Sequence, residues 1–227
     1  MVKIIPIGNV MTAEWINVHT HQPGQGISVA DPCLGEIKFS GEGCVYYSLG
    51  VHPLYIDGDV ECKLTAIREA AAGKKIVAVG EAGLDRNSPV GMEEQMVLFQ
   101  RQADIAATNG LPLIIHGVRA IPEIITVYNR CRIHRGWIMH GFNNRKEILE
   151  DLLRHDFCIS AGRAVMDETS NIYRLLPEIP AERLFLETDN SGFAIEEIYQ
   201  VVAARRGVSV EELRRIVRSN FERVFHK

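Results

Sequence analysis

Short runs of apolar residues alternate with amphipathic segments along the chain. Seven runs read as strands: Ile16-Asn17-Val18, Val45-Tyr46-Tyr47-Ser48-Leu49, Ile76-Val77-Ala78-Val79, Leu113-Ile114-Ile115, Trp137-Ile138-Met139, Phe157-Cys158-Ile159-Ser160 and Leu184-Phe185-Leu186. They are apolar nearly throughout, the pattern of strands buried on both faces of a parallel sheet. Helical stripes fall between them. Met92, Met96, Phe99, Ala103 and Ala106 recur at steps of four and three, and Asn109-Gly110 supplies a stop. Ile148, Leu149, Leu152 and Leu153 make a second stripe, and Ser209 with Glu212 reads as a capping box opening a third helix. Strand then helix, repeated about seven times, predicts an α/β chain folded as one (β/α) TIM-type barrel over residues 1–227. Seven visible strands in place of eight predict either a distorted barrel or an irregular eighth strand. Between Gly24 and Gly43, Ile27-Ser28-Val29-Ala30 and Glu36-Ile37-Lys38-Phe39-Ser40 read as the arms of a β-hairpin inserted after the first strand.

Composition narrows the classes. With 227 residues, 46% hydrophobic and 24% charged, the chain is neither disordered nor low-complexity. Twenty-five basic against 29 acidic residues give a net charge of −4, so a polyanionic substrate must be held by a local cationic centre and not by the whole-protein field. The cysteines (Cys33, Cys44, Cys62, Cys131, Cys158) are odd in number and form no CxxC pair, which fits a reducing compartment. No apolar run approaches the roughly 20 residues of a membrane span. The N-terminal run is broken by Pro6 and Gly8, unlike a secretory signal. The expectation is a soluble, cytoplasmic protein that uses no membrane and no obligate protein partner.

The chemistry lies in what ends each strand. The first run closes with His19-Thr20-His21, the second leads to Gly50-Val51-His52-Pro53, and the third to Gly80-Glu81-Ala82-Gly83-Leu84-Asp85. The fourth ends at His116, the fifth at His140 and the last at Glu187-Thr188-Asp189. In a barrel these carboxyl ends converge on one face, where active sites are built. A lone histidine after an apolar run is more often a hydrogen-bonded structural residue, and His134 and His155 are read so. Four histidines and two carboxylates together are different, because burying them without cations is costly. His19 and His21, two apart on an extended strand, point to the same side and can chelate one ion.

Taken in order, these motifs resemble the TatD family of metal-dependent nucleases among the amidohydrolase-like hydrolases. The resemblance runs through Val18-His19-Thr20-His21, Leu49-Gly50-Val51-His52-Pro53, Val79-Gly80-Glu81-Ala82-Gly83-Leu84-Asp85, Leu111-Pro112-Leu113-Ile114-Ile115-His116, His140-Gly141-Phe142 and Leu186-Glu187-Thr188-Asp189. It ends at Asn220-Phe221-Glu222-Arg223-Val224-Phe225. It implies a distorted TIM barrel carrying two divalent ions. His19, His21 and Asp189 would hold the first, His116 and His140 the second, and Glu81 would bridge them. The chain departs from the family at Gln22-Pro23-Gly24, in the placing of Arg119 three positions after His116, and at Asn190-Ser191 after Asp189. The metal residues match; the substrate rim does not.

The function expected from this pattern is hydrolysis of phosphodiesters by a metal-activated water, on DNA ends, single-stranded DNA or small phosphodiesters. Imidazole-rich sites suit zinc, manganese, cobalt or iron, with magnesium an alternative, and the sequence does not choose among them. Asp189 acts either as a ligand alone or as ligand and proton acceptor. Glu187 is expected to orient a ligand from behind. Arg119 is a candidate phosphate contact, and His52 is either a substrate contact or a structural residue before Pro53. The alternative is an amidohydrolase or lactonase using the same metals on a carbonyl substrate. That reading calls for a lysine at the end of the fourth strand, where His116 stands. A non-catalytic metal-binding protein is the third reading. Closed four-fold coordination would be its mark, and six ligands around a barrel mouth suggest open positions instead.

Overall fold

Eight parallel strands follow one another around the sheet in chain order, each paired with the next. The computed structural model describes residues 15–24, 26–31, 45–131 and 134–225. The strands are β1 (Ile16–Thr20), β2 (Ile27–Ala30), β3 (Val45–Leu49), β4 (Ala78–Asp85), β5 (Leu113–Val118), β6 (Trp137–Met139), β7 (Cys158–Ala161) and β8 (Leu184–Leu186). The helices are α1 (Val60–Ala72), α2 (Met92–Asn109), α3 (Ile121–Arg130), α4 (Lys146–Arg154), α5 (Asn171–Leu175), α6 (Ile195–Arg206) and α7 (Val210–Phe225). This is a nearly closed TIM-type barrel.

The seven expected strands are present, and the eighth is β2. Residues 27–30 pair in parallel with both β1 and β3, which corrects the expectation of a hairpin arm. All four are buried, so β2 is a wall of the barrel and not a surface ribbon. The other expected arm, 36–40, lies outside the described residues, as do Cys33 and Cys44. β4 begins two residues later than the apolar run suggests and extends to Asp85, so the Gly80–Asp85 motif lies on the strand itself.

The helix signals act as local chemistry requires. Gly110 takes the left-handed conformation (φ 63°) and its N–H meets the Ala106 and Ala107 carbonyls, ending α2. Its buried face centres on Leu98, Phe99, Ala103 and Ala106, with Met92 and Met96 half-buried at its edge. Ser209 Oγ accepts the Glu212 N–H at the start of α7. The buried Asn220 of α7 donates to the Ala181 and Leu184 carbonyls and so holds that helix against the start of β8. No helix is long and apolar enough to cross a membrane among the described residues.

The barrel closes between β8 and β1 through few bonds. Thr20 and Asp189 form a single parallel bridge, in which Asp189 N–H donates to the His19 carbonyl (3.0 Å) and His21 N–H to the Asp189 carbonyl (3.2 Å). Below it, Asn17 Nδ2 donates to Thr188 Oγ1 (2.8 Å) and Thr188 N–H returns to Asn17 Oδ1 (3.1 Å).

Candidate metal centre

The six residues expected from the strand ends come together at the carboxyl mouth. His19 ends β1 and is fully buried; its Nε2 lies 3.3 Å from Glu81 Oε2 and 3.6 Å from Asp189 Oδ1. His21 reaches the same two carboxylates from the strand's end, with Nε2 3.5 Å from Asp189 Oδ1 and 4.0 Å from Glu81 Oε2. The two-residue spacing on an extended chain therefore does place both rings on one side. On the other side of Glu81, His116 Nδ1 and His140 Nε2 each stand 2.7 Å from Oε1. Donor atoms of His19, His21 and Glu81 lie within 4.8 Å of one another, as do those of His52, Glu81 and His116.

Local backbone chemistry makes this possible. Glu81 and Asp85 lie four residues apart on β4 and both face His116, with Gly83 between them in register with it. A Cβ at Gly83 would strike the His116 carbonyl, so only glycine lets β4 and β5 approach this closely. At Gly50, past the end of β3, a Cβ would sit 2.5 Å from the Glu81 carbonyl. These are the glycines of the motifs, and they serve the packing behind the site.

Which ring nitrogens face the centre is settled from behind. Asp85 Oδ2 lies 2.9 Å from His116 Nε2, Glu187 Oε1 lies 3.3 Å from His140 Nδ1, and the Asp31 carbonyl lies 3.2 Å from His21 Nδ1. These acceptors draw the ring proton away from the centre, leaving His116 Nδ1, His140 Nε2 and His21 Nε2 with lone pairs aimed at carboxylate oxygens. A bare nitrogen and a carboxylate oxygen 2.7 Å apart repel unless a cation lies between them. His19 strengthens the point: both its ring nitrogens are buried and neither has a hydrogen-bond partner among the described residues. An orphaned polar group of this kind costs about 1–3 kcal/mol, and a divalent ion is the partner that imidazole nitrogens and carboxylates fit.

The electrostatics agree in direction. Burial alone would depress His140, but the Glu81 and Glu187 carboxylates hold it well above the ordinary imidazole value of 6.5. His19 is pushed the same way: burial opposes and Glu81 prevails. Glu81 would be raised by burial, yet the surrounding histidines pull it well below 4.5. Where no metal is bound, protons supply the missing cations.

Three residues near the centre had no assigned role in the sequence or had two. Asp31 follows β2, accepts the Glu81 N–H through Oδ2 (2.9 Å) and receives His21 through its carbonyl. Its signal is the same as the others, an acid ending an apolar run, but in sequence that short run resembles a hairpin arm. Asp85 was part of a motif but carried no role. His52 accepts the Leu54 N–H at Nδ1 (3.1 Å), which leaves the proton on Nε2, 3.3 Å from Glu81 Oε1 and 3.2 Å from His116 Nδ1. Although it falls within ligand distance, that proton makes it a hydrogen-bond donor. Arg119, in the left-handed conformation (φ 54°), is exposed and does not line the cleft.

A parallel eight-stranded barrel whose strand ends bring histidines and carboxylates together defines a barrel metallo-hydrolase. Residues 36–226 match the family model described as TatD related DNase, and the chain belongs to that family as a TatD-type metal-dependent hydrolase. It is 28% identical over 199 residues to the uncharacterized metal-dependent hydrolase YabD of Bacillus subtilis strain 168, covering 80% of this chain and 77% of the relative. It is 29% identical over 204 residues to the 3'-5' ssDNA/RNA exonuclease TatD of Erwinia billingiae, covering 81% and 78%. Among solved structures it superposes on YJJV, a TatD homolog from Escherichia coli K12, with a TM-score of 0.68 and 25% identity, covering 80% of this chain and 76% of the other.

Proposed function

We propose that this hydrolase cleaves phosphodiester bonds of single-stranded DNA, of strand ends or of small phosphodiesters, using two divalent ions. His19, His21 and Asp189 would hold one and His116 and His140 the other, with Glu81 between the two sets. The observation that carries the reading is Glu81 itself: Oε2 faces His19 and His21 while Oε1 faces His116 and His140. A bridging carboxylate divides its oxygens in this way. When bound, the ions supply Lewis acidity, which makes water nucleophilic near neutral pH and neutralises charge developing on a phosphate.

The protein's own groups do the rest. Asp189 is the most exposed carboxylate of the cluster, with 29% of its side chain open against 6% for Glu81, so it can reach an attacking water and take its proton. His52 presents its Nε2–H toward the same space and donates to a non-bridging phosphate oxygen. Support for a single-stranded or small substrate comes from the rim. Arg86 is taken up by Glu123 and the Arg119 carbonyl, and none of Arg86, Arg119, Arg145 and Arg163 lines the cleft. The relative in Erwinia billingiae, named as a single-strand exonuclease, points the same way.

The test is cleavage of a short single-stranded oligonucleotide beside a covalently closed circular duplex, across a salt series, with metal-loaded protein. Preferential cleavage of the single strand with a shallow salt slope, reflecting about one to three phosphate contacts, is expected. Efficient nicking of the closed circle with a steep slope would contradict it.

A further inference from the structure

The metal cleft does not end at the histidines. It has a volume of about 290 Å³ and continues past His52 to Leu54, Tyr55 and Lys63. That is the small end of ligand-sized clefts, enough for about one nucleotide and not for a length of duplex. Tyr55 is 63% exposed and Leu54 41%, two of the four exposed large hydrophobic residues among those described. An exposed aromatic ring on a cleft wall has no folding reason to be there.

The ring is nonetheless held in place. Tyr55 lies on a short 3₁₀ turn, Pro53–Tyr55, which His52 caps through the Leu54 N–H. Lys63 of α1 donates to the Tyr55 carbonyl (3.0 Å) and pairs with Asp57 Oδ2 (2.7 Å). Two of the three ammonium donors are thus engaged in positioning this turn. The Tyr55 ring centroid is 5.3 Å from that of His52, the residue whose Nε2–H faces Glu81. A platform and a hydrogen-bond donor stand side by side on a wall of the cleft that holds the candidate metal centre.

We infer that Tyr55 is a stacking platform for the unpaired base of the nucleotide whose phosphate sits at the metal centre. The inference rests on the nuclease reading above and names how that substrate is gripped. Stacking is indifferent to sequence because every base has a π face, and a base inside a duplex has both faces covered by its neighbours. A cleft with few free cations would then select single strands by stacking instead of by charge.

The probes are short oligonucleotides carrying 2-aminopurine at either end, and matched ones with an abasic residue there, given to the metal-loaded full chain. 2-Aminopurine fluorescence reports stacking independently of turnover. Wild type and Tyr55→Phe should quench it on binding, and Tyr55→Ala should not. Tyr55→Ala should raise KM for the base-bearing oligonucleotide by about 5- to 100-fold, from the usual worth of one stacked base, with kcat unchanged. Its KM for the oligonucleotide abasic at the same end should not move. Unchanged quenching and KM in Tyr55→Ala, with cleavage intact, would overturn the stacking role and leave the nuclease reading standing. If metal-loaded wild type hydrolyses neither a small phosphodiester nor any oligonucleotide, both fail together.

Discussion

Asp85→Asn is a small change with a specific consequence. Asp85 is buried, and its two carboxylate oxygens each serve one donor: Oδ2 faces His116 Nε2 at 2.9 Å and Oδ1 accepts the Asn87 N–H at 2.7 Å. An amide has one oxygen for these two donors. If the oxygen stays with Asn87, the NH2 group faces His116 and the ring must accept there, which moves its proton to Nδ1. That proton would then point at Glu81, on the atom needed for the metal. If the oxygen turns to His116, the NH2 faces the Asn87 N–H, and about 1 kcal/mol of turn hydrogen bond is lost. Partners behind a ligand of this kind are worth about 10- to 100-fold in metal affinity, or about 1.4–2.8 kcal/mol. We expect one of the two ions to weaken by that factor, the one on His19 and His21 to be unchanged, and Tm to fall by only about 2–4 °C. Competition with a chromophoric chelator reads the affinities, and nitrogen-15 shifts of His116 read the tautomer. Both affinities within about twofold of wild type, with Nδ1 still unprotonated, would refute the reasoning.

Elemental analysis should find close to two divalent ions per chain, since six ligands exceed what one tetrahedral ion uses; no more than one after loading would exclude the paired site. His19→Ala with His21→Ala should lose one ion while circular dichroism stays near wild type, because the barrel's packed interior carries the fold. Asp189→Asn should lower turnover by about 10²–10⁴-fold if the carboxylate takes a proton, whereas normal turnover at full metal content would make it a ligand only. The metal-free protein should lose stability as pH rises. His140 is raised, so its contribution is complete below 6.5 and disappears through its higher folded value; Glu81 is lowered, so its contribution holds above 4.5 and is lost only in stronger acid. Metal binding needs the deprotonated nitrogens, so the Tm gap between loaded and chelated protein should widen as pH rises through 6.5 and above. A constant gap would show that His140 and the metal do not share a site.

The barrel and the centre were legible for one physical reason. A strand buried on both faces is mostly apolar until it reaches the mouth, so the titratable residues that end a run are the candidates for the site. His19, Glu81, His116 and His140 are the first such residues after their runs, and Asp189 follows Glu187 at the end of the last. β2 obeyed the same rule, with Asp31 after Ile27–Ala30, but its run is four residues long and begins beside Gly24 and Gly26, which read as turn signals. Nothing local distinguishes a short barrel strand from a hairpin arm; only pairing with β1 and β3 does. The ring orientations were not legible either. That His52 is a donor depends on the Leu54 N–H two residues on, and that His116 presents Nδ1 depends on Asp85, thirty-one residues away in sequence.

The seam of the barrel explains why two of the sequence motifs are so tightly coupled. β1 and β8 share no ladder beyond the Thr20–Asp189 bridge, and the bonds that join them are made by Asn17, His19, Thr20 and His21 on one side and Thr188 and Asp189 on the other. The main chains of His19, His21 and Asp189 close the barrel while their side chains meet at the centre. Thr188, between two acids with chemical roles, has a structural one: it exchanges bonds with Asn17 and donates to Thr20 Oγ1 at 3.0 Å. Sliding β8 by one residue against β1 would break these bonds and turn Asp189 away from both histidines at once, because side chains alternate along a strand. Register and ligand geometry are therefore one constraint. The divalent ion proposed for His19, His21 and Asp189 would act across the same seam and tie together the two strands that the backbone joins most weakly.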